Sequence, residues 1–226
     1  MTARPILFSG PMIRALLEGR KTQTRRAMKP QPDLTPELND HAEAEFYIGD
    51  ECVHVKPCPY GQPGDLLWVR ETFQPLFADG WDDGRNPDGS GDRANYRTGD
   101  GHAPHYVADC GPTEFVTPDG DLVTRCTPAI HMPRWASRLT LRITDVWVER
   151  LQDISEADAL AEGVRSLRGT SSRESVCHDS SMELSGRDLF RALWVQINGP
   201  GSWDANPWVW ALTFDVIKAN VDQVHP

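Results

Sequence analysis

Eight consecutive residues, Gly19-Arg20-Lys21-Thr22-Gln23-Thr24-Arg25-Arg26, gather one lysine, two threonines and three arginines in a chain that is acidic overall. Cations beside alcohols suit anion recognition or a lysine-assisted nucleophile better than they suit a core. A buried lysine releases its proton more readily and can then serve as base toward a hydroxyl; threonine is a weak nucleophile until such a base is adjacent. Lys21 and Thr24 are three positions apart, so a strictly extended chain would aim them at opposite faces. They can cooperate only if Lys21 still belongs to the turn that enters the strand. The alternative is a surface lysine and a threonine that fills a strand.

Glu162 is the second residue of chemical interest. Its place in the last turn of an expected helix sets a carboxylate against the negative dipole end, at a cost of about 0.3–1 kcal/mol. That placement raises a carboxyl pKa unless a cation is near. The alternative is an exposed glutamate screened by water. A third set joins flat rings to charge: Trp68, Arg70, Glu71, His131, Arg134 and Trp135. Rings beside arginines hold nucleobases by stacking and edge hydrogen bonds, though tryptophans also fill cores.

Composition narrows the classes. The 226 residues are 39% hydrophobic and 25% charged, ordinary for a globular chain, and no apolar run is long enough for a membrane span. Met1-Thr2-Ala3-Arg4-Pro5 opens no secretory apolar segment, so a cytoplasmic location is expected. A net charge of −10 argues against an extended nonspecific grip on duplex nucleic acid. Six basic residues between Arg14 and Lys29 face only Glu18, a local positive patch that suits a small anionic or nucleoside ligand, or a short single strand. The five cysteines (Cys52, Cys58, Cys110, Cys126, Cys177) contain no CxxC pair and read as free thiols. Cys52, His54 and Cys58 match no zinc spacing well, so neither metal nor cofactor is expected.

The elements that must position these residues follow from local pattern. A strand over Pro5 to Phe8 leads to a helix capped by Ser9, with Met12, Ile13, Leu16 and Leu17 at helical spacing and Gly19 as C-cap. Residues 22–28 are extended. Residues 30–63 are proline-rich and polar, and predict an irregular excursion. Gly64-Asp65 turns into a strand through Arg70. Residues 79–101 hold six glycines and six aspartates and predict a long mobile loop. Short strands are predicted over His105 to Ala108 and Leu122 to Cys126, and His131 to Ala136 is too proline-broken for a long helix. Leu139 to Val148 alternates apolar and polar residues, the mark of a strand with one buried face. Ser155 begins a short helix with Asp158 in the capping-box position, ending at Glu162-Gly163. Residues 165–183 predict a second loop. A helix from Arg187 to Ile197 should bury Leu189, Phe190, Leu193 and Ile197. Gly201 to Trp208 reads as an ordered structural loop, and a last strand spans Trp208 to Ile217. Strands with few helices imply an α+β fold whose sheet curls toward a barrel.

The segment from Gly19 to Arg26, Gly64-Asp65 opening a strand, the run Ile154-Ser155-Glu156-Ala157-Asp158-Ala159-Leu160-Ala161-Glu162-Gly163 and the terminal strand together resemble the ASCH domain family. Cys58-Pro59-Tyr60-Gly61, His131-Met132-Pro133-Arg134-Trp135 and Trp203-Asp204-Ala205-Asn206-Pro207-Trp208 are similar to strings in its larger phage and prophage members. The resemblance covers most of the chain. It implies a single PUA-like domain over 1–226, a curled β-barrel with a few flanking helices and insertions around 30–63, 77–120 and 165–183. Small bacterial members include amidohydrolases that remove acetyl from N4-acetylcytidine. Their catalytic threonine, lysine and glutamate fall on Thr24, Lys21 and Glu162, and Arg26 matches a pocket residue. The implied reaction has Thr24 attack the acetyl carbonyl while Lys21 takes its proton and Glu162 orients Lys21 or relays that proton. The chain departs from those enzymes in being about twice as long and in carrying Arg25 where an apolar residue is common. A non-catalytic module that binds RNA, single-stranded DNA or a modified base is the competing reading, and a ribonuclease is a third.

Overall fold

The computed structural model describes residues 2–48, 50–77, 102–112, 115–116, 122–123, 126–165 and 184–224. In chain order the elements are β1 (Ala3–Leu7), α1 (Gly10–Leu17), β2 (Gln23–Ala27), β3 (Pro36–Leu38), β4 (Glu43–Ile48), β5 (Glu51–Pro57), β6 (Leu66–Arg70) and β7 (Phe73–Phe77). They continue with β8 (His102–Tyr106), α2 (Val107–Cys110), β9 (Phe115–Val116), β10 (Leu122–Val123), β11 (Thr140–Arg150), α3 (Glu156–Ala161), α4 (Gly186–Asn198) and β12 (Trp208–Ile217). The chain is α+β, with cores built mostly on sheet, and it divides into two compact units. Among the described residues the strand pairings do not close into a barrel. The expected loops over 79–101 and 165–183 lie, apart from Arg165, outside the described residues.

The first unit comprises residues 1–17, 64–143 and 215–226. Here β1 runs parallel to β6, Ala3 opposite Leu66 through Leu7 opposite Arg70, and β6 runs antiparallel to the start of β11. Leu66, Leu67, Trp68 and Val69 are all buried, as an apolar run covered on both faces must be. Helix α1 buries Ile13, Ala15 and Leu16, close to the expected stripe, and Arg14 Nη1 donates to the Ala108 carbonyl at 2.9 Å. Residues 131–136 form parts of two short 3-10 turns, Ala129–His131 and Arg134–Ala136.

The second unit comprises residues 18–63 and 144–214. Its β2 pairs antiparallel with β12, Gln23 opposite Thr213 through Ala27 opposite Val209. The end of that ladder is closed by a side chain: the Gln31 amide accepts from Trp208 N–H at 2.7 Å and donates to the Trp208 carbonyl at 3.0 Å. The core joins Leu151, Ile154, Ala159, Phe190, Trp194, Trp203 and Val209.

Two expectations are corrected in this unit. Residues 30–63 are not irregular throughout; β3, β4 and β5 form an antiparallel meander. Alternation in β4 buries Ala44 and Phe46, while the Asn39 amide bonds the outward carboxylates of Glu43 and Glu45. Charge on one face had hidden the period of two. Helix α4 buries Phe190 and Trp194, whereas Leu189 and Leu193 are half-buried and Ile197 is exposed. Its rings turn toward Trp203, with Phe190 edge-on at 6.2 Å, because aromatic burial outweighs that of the leucine stripe.

Candidate functional site

Lys21 lies between α1 and β2, beyond Gly19, whose φ of +73° suits a residue without a side chain. Its main chain forms an antiparallel bridge with Glu162, and the next amide, Thr22 N–H, donates to Ala161 O at 2.9 Å. Helix α3 is aimed by its own cap, since Ser155 Oγ accepts from Asp158 N–H at 3.1 Å. The helix ends at Ala161, and Glu162 follows as its C-cap residue. Local signals at both ends thus deliver the lysine and the glutamate to one place.

The Lys21 side chain is fully enclosed and that of Glu162 nearly so, at 0% and 3% exposure. Nζ donates to Glu162 Oε2 at 2.7 Å, to the Glu162 carbonyl at 3.0 Å and to the Gln23 carbonyl at 2.7 Å. Those bonds employ all three donors of an ammonium. Burial pushes Lys21 below the ordinary lysine value of 10.5; Glu162 opposes that shift, and the neighbouring Arg26 and Arg25 add to it. The carboxylate expected to sit badly at a helix end is met by two cations.

Arg25 is the second cation. Its side chain is fully buried, with Nη1 3.3 Å from Glu162 Oε1, Nε 2.6 Å from Glu149 Oε1 and Nη2 3.7 Å from Asp158 Oδ2. Nη1 also donates to Gln23 Oε1 at 3.1 Å, and the guanidinium lies 5.7 Å from the Trp147 ring centre. Gln23 in turn donates to Asp158 Oδ1 at 2.8 Å. Gln23 and Arg25 therefore share one face of β2, and the period of two puts Thr24 and Arg26 on the other.

Of the three residues expected to be catalytic, Lys21 and Glu162 are brought into direct contact. Thr24 is buried opposite Leu212, and its hydroxyl is not part of that hydrogen-bond set. The link between them is the peptide: Nζ is held by the Gln23 carbonyl, the group bonded directly to the Thr24 nitrogen. Lys21 lies outside β2, as cooperation with Thr24 requires. Arg26 is half-buried and acts electrostatically on both Lys21 and Tyr60. Burial raises the Tyr60 phenol above its ordinary 10.0, with Arg26 opposing and Cys58 adding.

The third set belongs to the first unit, where its members have local partners. Trp68 is buried with Leu66 and Val221, and the Arg70 guanidinium lies 5.2 Å from its ring centre while donating to the Met132 carbonyl at 3.1 Å. Glu71 is buried in a two-point bond with Arg138, at 2.8 and 2.9 Å. His131 is exposed, Arg134 pairs at the surface with Asp222 at 2.7 Å, and Trp135 packs on Phe73, Met132 and Ala136. Arg70 and Trp68 meet, whereas Glu71 is held by Arg138, which also bonds Asp109.

Arg25, Glu149, Asp158 and Arg138 are the chemically important residues that sequence reasoning missed as site residues. The one available signal was Arg25 itself, a charge where an apolar residue is common. Among the described residues no group of three or more histidine, cysteine, aspartate or glutamate side chains is placed to hold a metal, and no helix is long and apolar enough to cross a membrane. No family model, curated protein or solved structure matches the chain.

Proposed function

We propose that this chain is an ASCH-type amidohydrolase, with the PUA-like curled barrel of that family, that removes an acyl group from a modified nucleoside or base of the N4-acetylcytidine kind. The observation that carries the reading is the wholly buried Lys21, fixed by Glu162 and tied to the peptide that leads into Thr24. A lysine removed from water gives up its proton more readily than one at the surface, so more of its amine is neutral and able to accept a proton, and burial here acts in that direction.

In the reaction, Lys21 sheds a proton, gives up one of its three donated bonds and turns the lone pair so freed to Thr24 Oγ, taking the hydroxyl proton as the oxygen attacks the acyl carbonyl. The carbon–nitrogen bond breaks, the proton passes to the departing amine with Glu162 orienting the lysine, and an acyl-threonine ester remains. Water hydrolyses the ester, releasing the carboxylic acid and restoring the hydroxyl. Arg26, on the same face of β2 as Thr24, supplies positive charge near the substrate.

A second reading is supported by the same ammonium. All three of its donors are engaged within the protein, as in a purely structural lysine, which favours no turnover; the basic run from Arg14 to Lys29 then supports a module that binds RNA, single-stranded DNA or a modified base.

Release of cytidine from N4-acetylcytidine separates the two. Thr24→Val and Lys21→Met should abolish release, and Thr24→Ser should retain part of it. Equal turnover by wild type and both inactivating variants overturns the hydrolase reading. Absence of turnover in the wild type, with salt-dependent binding of a short single strand, establishes the module instead.

A further inference from the structure

Arg25 is buried among three carboxylates and touches the same Glu162 that holds Lys21, on its other oxygen. An isolated Lys–Glu pair would let both carboxylate oxygens serve the lysine and would stabilise the charged ammonium. Here Oε1 is taken at 3.3 Å by Arg25 and Oε2 at 2.7 Å by Lys21. The guanidinium is held in turn by Glu149 at 2.6 Å and by Gln23 at 3.1 Å, and flanked by Trp147. A guanidinium is suited to this: its planar fork meets several acceptors at once and it does not lose its proton.

We propose that Arg25 is a positioning residue for Lys21: by claiming one oxygen of Glu162 and placing a permanent positive charge beside the lysine, it sets the proton affinity of the amine. The inference rests on the hydrolase reading for its purpose but not for its test. The groups that face Lys21 are Glu162 from the end of α3 and Arg25 and Arg26 from β2. Those that face Arg25 are Glu162 and Asp158 near α3 and Glu149 from β11. Loss of Arg25 removes a like charge and frees a carboxylate oxygen, and both changes favour protonated Lys21.

The experiment is a pH titration of the Lys21 side chain by NMR in selectively labelled full-length protein, with Lys21→Arg identifying the resonance. Arg25→Gln should raise the midpoint by about one unit or more, and the acid limb of the rate of N4-acetylcytidine hydrolysis should move upward with it. Glu149→Gln keeps Arg25 and removes a competing carboxylate, so the midpoint should fall. An unchanged midpoint in folded Arg25→Gln overturns the proposal. Should that variant fail to fold, an unchanged or raised midpoint in Glu149→Gln overturns it. If the expected shifts occur while the wild type hydrolyses nothing, the positioning role stands and the hydrolase reading falls.

Discussion

Lys21 and Glu162 are joined twice, by an antiparallel main-chain bridge and by a 2.7 Å hydrogen bond from Nζ to Oε2. The main-chain bridge fixes the backbone on either side, so what the contact must still offset is the rotamer entropy of the two side chains, up to about 2 kcal/mol each. That geometry makes the pair a fixed feature of the folded chain rather than one of many rotamer choices.

Removing one member of a buried pair leaves the other uncompensated, at a cost of about 3–5 kcal/mol. Glu162→Gln is therefore expected to lower unfolding stability by an amount in that range, read from urea denaturation. The pH dependence has a defined sign. Lys21 is pushed below 10.5 in the folded state, so the unfolded chain holds the proton more tightly, and stability grows as pH rises through the folded value up to 10.5. Lys21→Met should flatten that rise; an equal slope in both proteins would contradict the shift.

Glu71 carries the opposite dependence. Burial pushes its carboxyl above the ordinary 4.5, Arg138 opposes, and Asp109 adds to the rise. The folded state then binds the proton more tightly than the unfolded chain, so this contribution is complete below 4.5 and is lost as pH rises through the folded value. Stability measured from mildly acidic to neutral pH should fall in the wild type relative to Glu71→Gln. Parallel curves would show that Arg138 cancels the effect of burial.

Gly186 opens α4 beneath the ends of two side chains, Glu156 and Leu160. A Cβ there would lie 2.9 Å from Glu156 Oε1 and from Leu160 Cγ and Cδ2, and the Glu156 carboxylate also accepts from the Arg187 amide at 3.1 Å. Glu156 and Leu160 are exposed and their ends can swing aside, so the cost falls on the Glu156 carboxylate, which accepts from the Gly186 and Arg187 amides and would have to move; Gly186→Ala is expected to destabilise by about 1 kcal/mol through that weakened cap. Thermal or urea unfolding gives the sign directly.

Local signals were legible in the sequence. Ser155 ahead of α3, Gly19 after α1 and the alternation that became β11 each act within a few residues, and each appears close to its expected place. Lys21 and Glu162 were legible as a lysine among alcohols and a misplaced carboxylate, and the resemblance put them together. Arg25 was not, because what makes it important lies 124 and 137 positions away in Glu149 and Glu162. No periodicity carries that information. The helix face of α4 was misread because the pattern marks apolar residues without saying that Trp203 would offer Phe190 an aromatic neighbour.

The cluster of Lys21, Arg25, Glu149, Asp158 and Glu162 also constrains how this chain can diverge. Two cations face three carboxylates, and Lys21, Arg25 and Glu162 are closed to water, so replacing any of these three strands a neighbour, whereas a matched exchange of acid and base partners keeps the balance. Position 25 should consequently tolerate exchange only in step with 149 or 158, a dependence that a double-mutant cycle of Arg25 with Glu149 would read as coupling.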